Sequence, residues 1–253
     1  MQLNMTRCQN TGAKRRSPYI NSVRSKELRA EVDGFINHQV EKWNATVPQA
    51  RHFEGGPIDR EYYKRHLIET VWRIRLLRIA ESKAIGEIAK RSPEAAQIWA
   101  NYEREEMIHD TLFMNDYLAA GGSEQTFFST EPYLATKLLA GYFSYLLEHE
   151  GPLGVVAYSY LVETVNVKID PDKIKGMKEQ LGAKLIKGQI AHTHTDVFED
   201  HPGEVWDVVR HLIESEDDIK RLYAYIEENQ RILAMYFQEI YDEKIGQRAE
   251  AVS

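Results

Sequence analysis

The sequence predicts an all-α protein, a single bundle of seven or eight helices, and three features of the chain carry that expectation. Glycine (15 residues) and proline (8) are scarce in a chain of 253 and fall where segments end. Between them the apolar residues recur with the 3.6-residue period of a helix. Runs of strict alternation, the mark of a half-buried strand, are lacking.

A first helix is expected over about 25–43, followed by a loop through Pro48 and "EGGP" at 54–57. Asp59 then caps a second helix reaching about 91, because a short side-chain oxygen satisfies the free N–H groups of a first turn. In "SPEAAQ", a serine at the cap and Pro93 at the first helical position open a third helix, expected to run unbroken to the glycines of "AAGG" at 119–122. A fourth begins near Glu131 and Pro132, breaks around "EGPLG" at 150–154 and resumes to about 167. Asp170 and Pro171 open the next, which is interrupted at Gly182 and ends near 199. "DHPGEVW" marks another start, with Asp200 or His201 as cap, and a last long helix covers about 217–244. No repeat, low-complexity run or linker divides the chain. Residues 26–253 are therefore expected to form one helical domain behind a polar tail of residues 1–25.

A hydrophobic content of 43% is enough for one substantial core. The net charge of −7 is spread along the chain, without the basic stripe that marks a nucleic-acid surface. Lys14, Arg15 and Arg16 form the one basic cluster and read as a solvated tail. Cys8 is the sole cysteine, so an intrachain disulfide and a thiolate zinc cluster are ruled out, which fits a reducing cytoplasm. No secretory-type apolar stretch opens the sequence and no run approaches the roughly 18 apolar residues of a membrane span, so a cytoplasmic protein without membrane contact is expected.

Function in a bundle is read from the polar residues on the buried side of each helix. On the second helix Arg60, Lys64, Arg75 and Arg78 fall on one side, opposite Tyr62, His66, Glu69, Leu76 and Ala80. Glu69 is thus an inward carboxylate, either ion-paired with an arginine such as Arg73 or a metal ligand. On the third, Tyr102, Glu106, His109, Phe113 and Tyr117 share a face opposite Asn101, Arg104 and Glu105. Glu106 and His109 form Glu-x-x-His, a spacing whose two tips can reach one ion between helices. "VVAYSYLVETV" at 155–165 is apolar nearly all round and marks a central helix in which Glu163 is the lone acid. Glu148, His149 and Glu150 read as a helix end. Along 183–199, Ala183, Ile186, Ile190, His194 and Val197 share a face that His201 joins if the helix persists, which favours His194 and His201 as the inward pair. The rival face carries Leu185, Gly188, His192, Asp196 and Glu199.

A carboxylate, then Glu-x-x-His, a glutamate about fifty residues on and a histidine-rich helix about thirty beyond resembles the haem-oxygenase-like di-iron oxidases, relatives in fold of thiaminase II and pyrroloquinoline-quinone synthase. The resemblance runs from about residue 30 to 245 and implies a haem-oxygenase-like bundle. In that family the last ligand helix carries His-x-x-x-Asp-x-x-His. His194 and His201 match its ends, but Phe198 stands at the aspartate position. That departure leaves open whether Asp196 or Asp200 supplies the acid, whether one metal or two are held, and whether the register His192, Asp196, Glu199 applies instead.

The resemblance implies an oxidoreductase in which two Fe(II) ions, or iron with manganese, activate O2 to oxidise a small organic substrate by N-oxygenation, desaturation or C–C cleavage in a biosynthetic pathway. Glu69, Glu106, His109, Glu163, His194 and His201 would hold the metals, with no catalytic group beyond them. Tyr102, Phe113, Tyr160 and Trp99 would wall the substrate pocket, and His66 or Arg73 would support a ligand or anchor a substrate carboxylate. Dimers are common among bundles of this fold, which leaves a homodimer open. The rivals are a cofactorless oxidase of the pyrroloquinoline-quinone synthase type and a helical interaction protein without enzymatic activity. A thiaminase would need a buried cysteine, and a haem protein would use a histidine such as His38.

Overall fold

The computed structural model describes residues 18–46, 57–198 and 200–246, with the backbone alone described at 43, 44, 46, 169–172 and 195–198. Ten α-helices span these residues: α1 (Ser22–Thr46), α2 (Arg60–Arg91), α3 (Pro93–Glu106), α4 (Asp110–Ala119), α5 (Glu124–Ser129), α6 (Leu134–Tyr145), α7 (Leu153–Leu181), α8 (Lys187–Phe198), α9 (His201–Leu212) and α10 (Glu216–Tyr241). A π-helical turn at Leu146–Glu150 joins α6 to α7, a 3-10 turn at Ala183–Leu185 precedes α8, and a second π turn follows α10. There is no strand among the described residues, and none of these helices is long and apolar enough to cross a membrane.

The caps follow the expected chemistry. The Asp59 carboxylate accepts from the backbone N–H groups of Glu61 and Tyr62, and the Ser92 hydroxyl from Ala95, which fixes the starts of α2 and α3. Three elements depart from expectation. The third helix does not run unbroken to the glycines but ends at Glu106, and α4 starts afresh at Asp110. Asp110 is held by Arg75 (2.7 Å) and Arg78 (2.5 Å) of α2, and an acid at the first position of a helix also suits its dipole. The short α5, capped by Ser123, occupies a stretch expected to be loop. The third departure is α7, which continues through Pro171 to Leu181, where Ile174 and Met177 are buried and hold the helix to the core despite a proline that supplies no N–H. Toward the N-terminus, Ile20 is buried and α1 begins at Ser22, ahead of the expected domain start.

Two apolar clusters make up the interior, and α2 passes through both. Tyr62, Leu67 and Val71 pack in one, with Met114 of α4, Phe127 of α5, Ile186 and Tyr236. Leu77, Ala84 and Ile88 pack in the other, with Trp99, Tyr158, Leu161, Val209 and Ile226. Where these stretches meet, α2 presents Arg73, Ile74, Leu77 and Arg78 to a cavity of about 220 Å³. The polar site is therefore built at the seam between two dry cores.

The placement of α8 depends on one glycine. A Cβ at Gly188 would lie 2.1 Å from the Leu112 carbonyl oxygen, so α8 reaches α4 at a distance that only glycine permits. The Asp116 carboxylate locks the contact by accepting from the backbone N–H groups of Gly188 (2.7 Å) and Gln189 (2.9 Å). One turn further along α8 is His192, which the same approach presses against α4. Gly188→Ala, although it raises helix propensity, is expected to cost about 1–3 kcal/mol in denaturant melts because a neighbouring backbone must move. A neutral or stabilising result would contradict this account of the α4–α8 contact.

Candidate metal centre

Two groups of ligating side chains meet at the cavity. Glu106, His109 and His192 offer one ligand atom each, all within 4.8 Å of one another, and Glu106, Glu163 and His201 do the same. Glu106 belongs to both, and its two oxygens divide between them. Oε2 is 2.8 Å from His109 Nδ1, whereas Oε1 is 3.5 Å from His201 Nδ1.

Each side chain arrives by a separate device. Glu106 closes α3 and His109 ends the turn of residues 107–109, whose backbone bond from His109 N–H to the Glu106 carbonyl (3.1 Å) brings the two tips together. The expected Glu-x-x-His pair thus forms across a turn between helices. Glu163 is buried on α7, where Tyr102 donates to its Oε1 at 2.9 Å. His201, with no exposed surface, begins α9. Asp200 sets that start with a left-handed backbone (φ 48°) that aspartate tolerates, and its carboxylate accepts from Gly203 N–H. The His201 ring stands edge-on to Tyr102 and has its Nε2 3.3 Å from Glu105 Oε2, so a carboxylate steadies the side of the imidazole turned away from the centre.

The inward histidine of α8 is His192. It is buried, with ring centroids 4.7 Å from His109 and 5.3 Å from Phe113, while His194 is exposed. The expected inward pair of His194 and His201 is corrected accordingly: α8 ends before His201, so the two do not lie on one stripe, and the buried face is the one that carries Gly188. The side chains of Asp196 and Phe198, on which the choice of register depended, are not described, and Glu199 lies outside the described residues, as does Cys8.

Glu69 does not join either group. It is fully buried, but Arg65 (2.9 Å), the Thr136 hydroxyl and the Tyr133 backbone N–H hold its carboxylate, where it ties α2 to the start of α6. Burial pushes its pKa up to about 7 against the pull of Arg65. The carboxylate of α2 that faces the centre is Glu81, three turns further on, which lines the cavity together with Glu103, Glu106 and Glu163. Glu81 and Glu103 were not singled out from the sequence. Their signal was the 3- and 4-residue spacing back from Glu106 on α3 and on from Leu77 on α2. Tyr102, Phe113 and Arg73 line the cavity. Tyr160 does not: its hydroxyl bonds Asp33 and its ring packs on Trp206, and Tyr158 takes the expected place. Trp99 is core, donating to the Glu81 carbonyl, and His38 is exposed.

Four carboxyl groups in one buried space repel. Burial, then Glu106, raises Glu81 to about 8; burial, then Glu81 and Glu106, raises Glu103 to about 10. Both oxygens of Glu103, and Oε1 of Glu106, are buried without a hydrogen-bond partner. Between the ordinary carboxyl range and these raised values the folded state binds more protons than the unfolded chain, so Glu81 and Glu103 make the metal-free protein less stable as pH rises. Glu103→Gln is therefore expected to match wild type near pH 4.5 and to exceed it at pH 8 by about 1–3 kcal/mol, a gain of several degrees in Tm. Thermal melts of metal-free protein across that range check this, and a variant less stable than wild type at pH 8 would contradict it.

Comparison with protein-family models and with curated proteins finds no match. Among solved structures, the chain is similar to a domain of unknown function with a heme oxygenase-like fold from Shewanella denitrificans, with a TM-score of 0.74 and 19% identity over 85% of this chain and 92% of that one. It is also similar to a TenA homolog from Pseudomonas syringae pv. tomato, with a TM-score of 0.66 and 9% identity over 90% of this chain and 98% of that one. The chain has the haem-oxygenase-like fold.

Proposed function

We propose that the protein is a metal-dependent oxidase that uses O2 on a small organic substrate, with two Fe(II) or Mn(II) ions held where the two ligand groups meet. The observation that carries this reading is Glu106, whose two oxygens face two separate sets of buried ligands. The donor set of carboxylates and imidazoles suits these ions better than a thiolate-preferring one. At the second group the separations suit an ion too, whereas Glu106 and His109 stand at a hydrogen-bonding 2.8 Å. Hydrogen-bonded ion pairs close to about 2.7–2.9 Å, whereas ligand atoms around a shared first-row ion stand roughly 3–4 Å apart. The 3.5 Å from Glu106 to His201 and the 3.8 Å from Glu163 to His201 fall in the second range.

Bound ferrous ions would supply the reduction of O2. The chain's own residues hold, orient and shield. Tyr102 fixes Glu163 through a hydrogen bond, Glu105 orients His201, and the Gly188 contact seats His192. Phe113 and Met107 border the cavity on the α3–α4 side and keep the reacting atoms in an apolar setting. Glu81 and Glu103 are the further acids within reach of the site, able to carry protons on and off.

A second reading uses the same groups without a metal. A protonated His201 among Glu105, Glu106 and Glu163 would offset their charge and leave a proton-handling site of the cofactorless type. Anaerobic Fe(II) titration of metal-free protein separates the two. The proposal expects close to two equivalents for wild type, about one each for His192→Ala and Glu163→Gln, and none for Glu106→Ala, with the folded state of each variant checked by circular dichroism. No binding by folded wild type would leave the metal-free reading.

A further inference from the structure

Several buried tyrosines of the bundle spend their hydroxyls on protein partners. Tyr63 donates to the Leu185 carbonyl, Tyr102 to Glu163 and Tyr160 to Asp33, and Tyr236 bonds His66. Tyr158 differs. Its ring stands edge-on to Phe143, yet among the described residues its hydroxyl makes no hydrogen bond. The next residue, Ser159, and Gln230 of α10 share that condition: Gln230 Oε1 is buried without a hydrogen-bond partner, and the Ser159 hydroxyl makes no bond among the described residues. All three side chains line the cavity, and each is 6% exposed or less.

A polar group withdrawn from water and left unpaired loses its hydration without compensation, so buried side-chain donors and acceptors are normally paired. Three such groups together on one cavity wall call for a ligand that pairs them. The charges that act on Tyr158 are Arg73, Glu81 and Glu163, and Arg73 is itself offset by Glu69 and Glu81. An anion entering here meets the two acids, and a cation meets the guanidinium. The head group that suits the place carries no charge and both donates and accepts. Gln230 offers one acceptor and two donors, and each hydroxyl one donor and two lone pairs, the set that a primary carboxamide complements.

The position of the three groups sets how such a ligand lies. Ser159 is four residues before Glu163 on α7, so the two share a face one turn apart, a rise of roughly 6 Å. Gln230 is brought alongside by the packing of α10 on α7, where Asn229 Nδ2 lies 3.5 Å from the Gly154 carbonyl. Leu161 and Leu233, on the same two helices, line the cavity as apolar wall.

We infer that Tyr158, Ser159 and Gln230 form a subsite for an uncharged head group of the carboxamide type, which holds the ligand with its apolar body directed along α7 toward the acids at Glu106 and Glu163. That this ligand is the substrate of an oxidase rests on the proposed function, whereas its binding requires no metal.

The test is calorimetric titration of full-length protein, with chelator present, using hexanamide, hexanoate and hexylamine. Hexanamide is expected to bind wild type at least threefold more tightly than either ion at pH 7, and Tyr158→Phe and Gln230→Met are each expected to weaken it at least threefold. A smaller preference, no binding of hexanamide, or variants that bind it as wild type does overturns the assignment. Thermal melts without ligand supply a second reading. Because neither side chain bonds the protein, both variants are expected to melt no lower than about 2 °C below wild type. A larger fall, or a variant that does not fold, shows that the group serves the fold and also overturns the subsite. Hexanamide preference that persists where Fe(II) fails to bind would remove the oxidase reading and keep the subsite, and Fe(II) binding without that preference would do the reverse.

Discussion

The crowding of four buried or half-buried carboxyl groups around one cavity is the constraint on which the rest of the structure depends. Glu81, Glu103, Glu106 and Glu163 come from three helices and meet beside a cavity lined largely by apolar side chains. Ionised together in a low dielectric they would cost more than a single domain can spare. Protons, the imidazolium of His201 or bound cations must offset them. Burial and mutual repulsion push Glu81 and Glu103 above the ordinary carboxyl range, a direction that favours the first of these in the metal-free chain. The arrangement of His109, His192 and His201 around Glu106 is suited to the last.

The surrounding architecture is consistent with that demand. Besides the contacts of Glu106 with His109 and of His201 with Glu105, Glu106 and Glu163, further ion pairs tie the helices of the bundle together. Arg65 with Glu69 ties α2 to α6, and Arg75 and Arg78 with Asp110 tie α2 to α4. Each consumes an acid that would otherwise add to the central charge. They also hold α2 against α4 and α6, so that ligands from α3, α7, α8 and α9 converge on a wall tied to its neighbours.

Much of this was legible in the sequence. Scarce glycine and proline, the Asp59 and Ser92 caps and the helical period led to an all-α bundle, and the order of acids and histidines led to the haem-oxygenase-like fold. Glu106, His109 and Glu163 stood out because acids and a histidine on apolar faces have few other uses. The misreading of α8 has a physical cause. Face assignment takes a helix's buried side to be its most apolar side, and α8 is buried on the side of Gly188, where the absence of a side chain is what permits contact. His194 was preferred to His192 for that reason. His201 turned inward for another, a break at Asp200 that restarts the helical phase. Glu69 was read as inward, and is, but periodicity cannot distinguish a carboxylate facing Arg65 from one facing the cavity. Tyr160 and Tyr158 lie on a helix apolar nearly all round, where phase carries little information.

The most direct test of the central claim is an anomalous-scattering map from crystals of the protein grown anaerobically with Mn(II). Two peaks are predicted, one bounded by Glu106, His109 and His192 and the other by Glu106, Glu163 and His201, with Glu106 touching both. A map without a peak at either place, and with His201 closed onto Glu106 and Glu163 at hydrogen-bonding distance, would contradict the account.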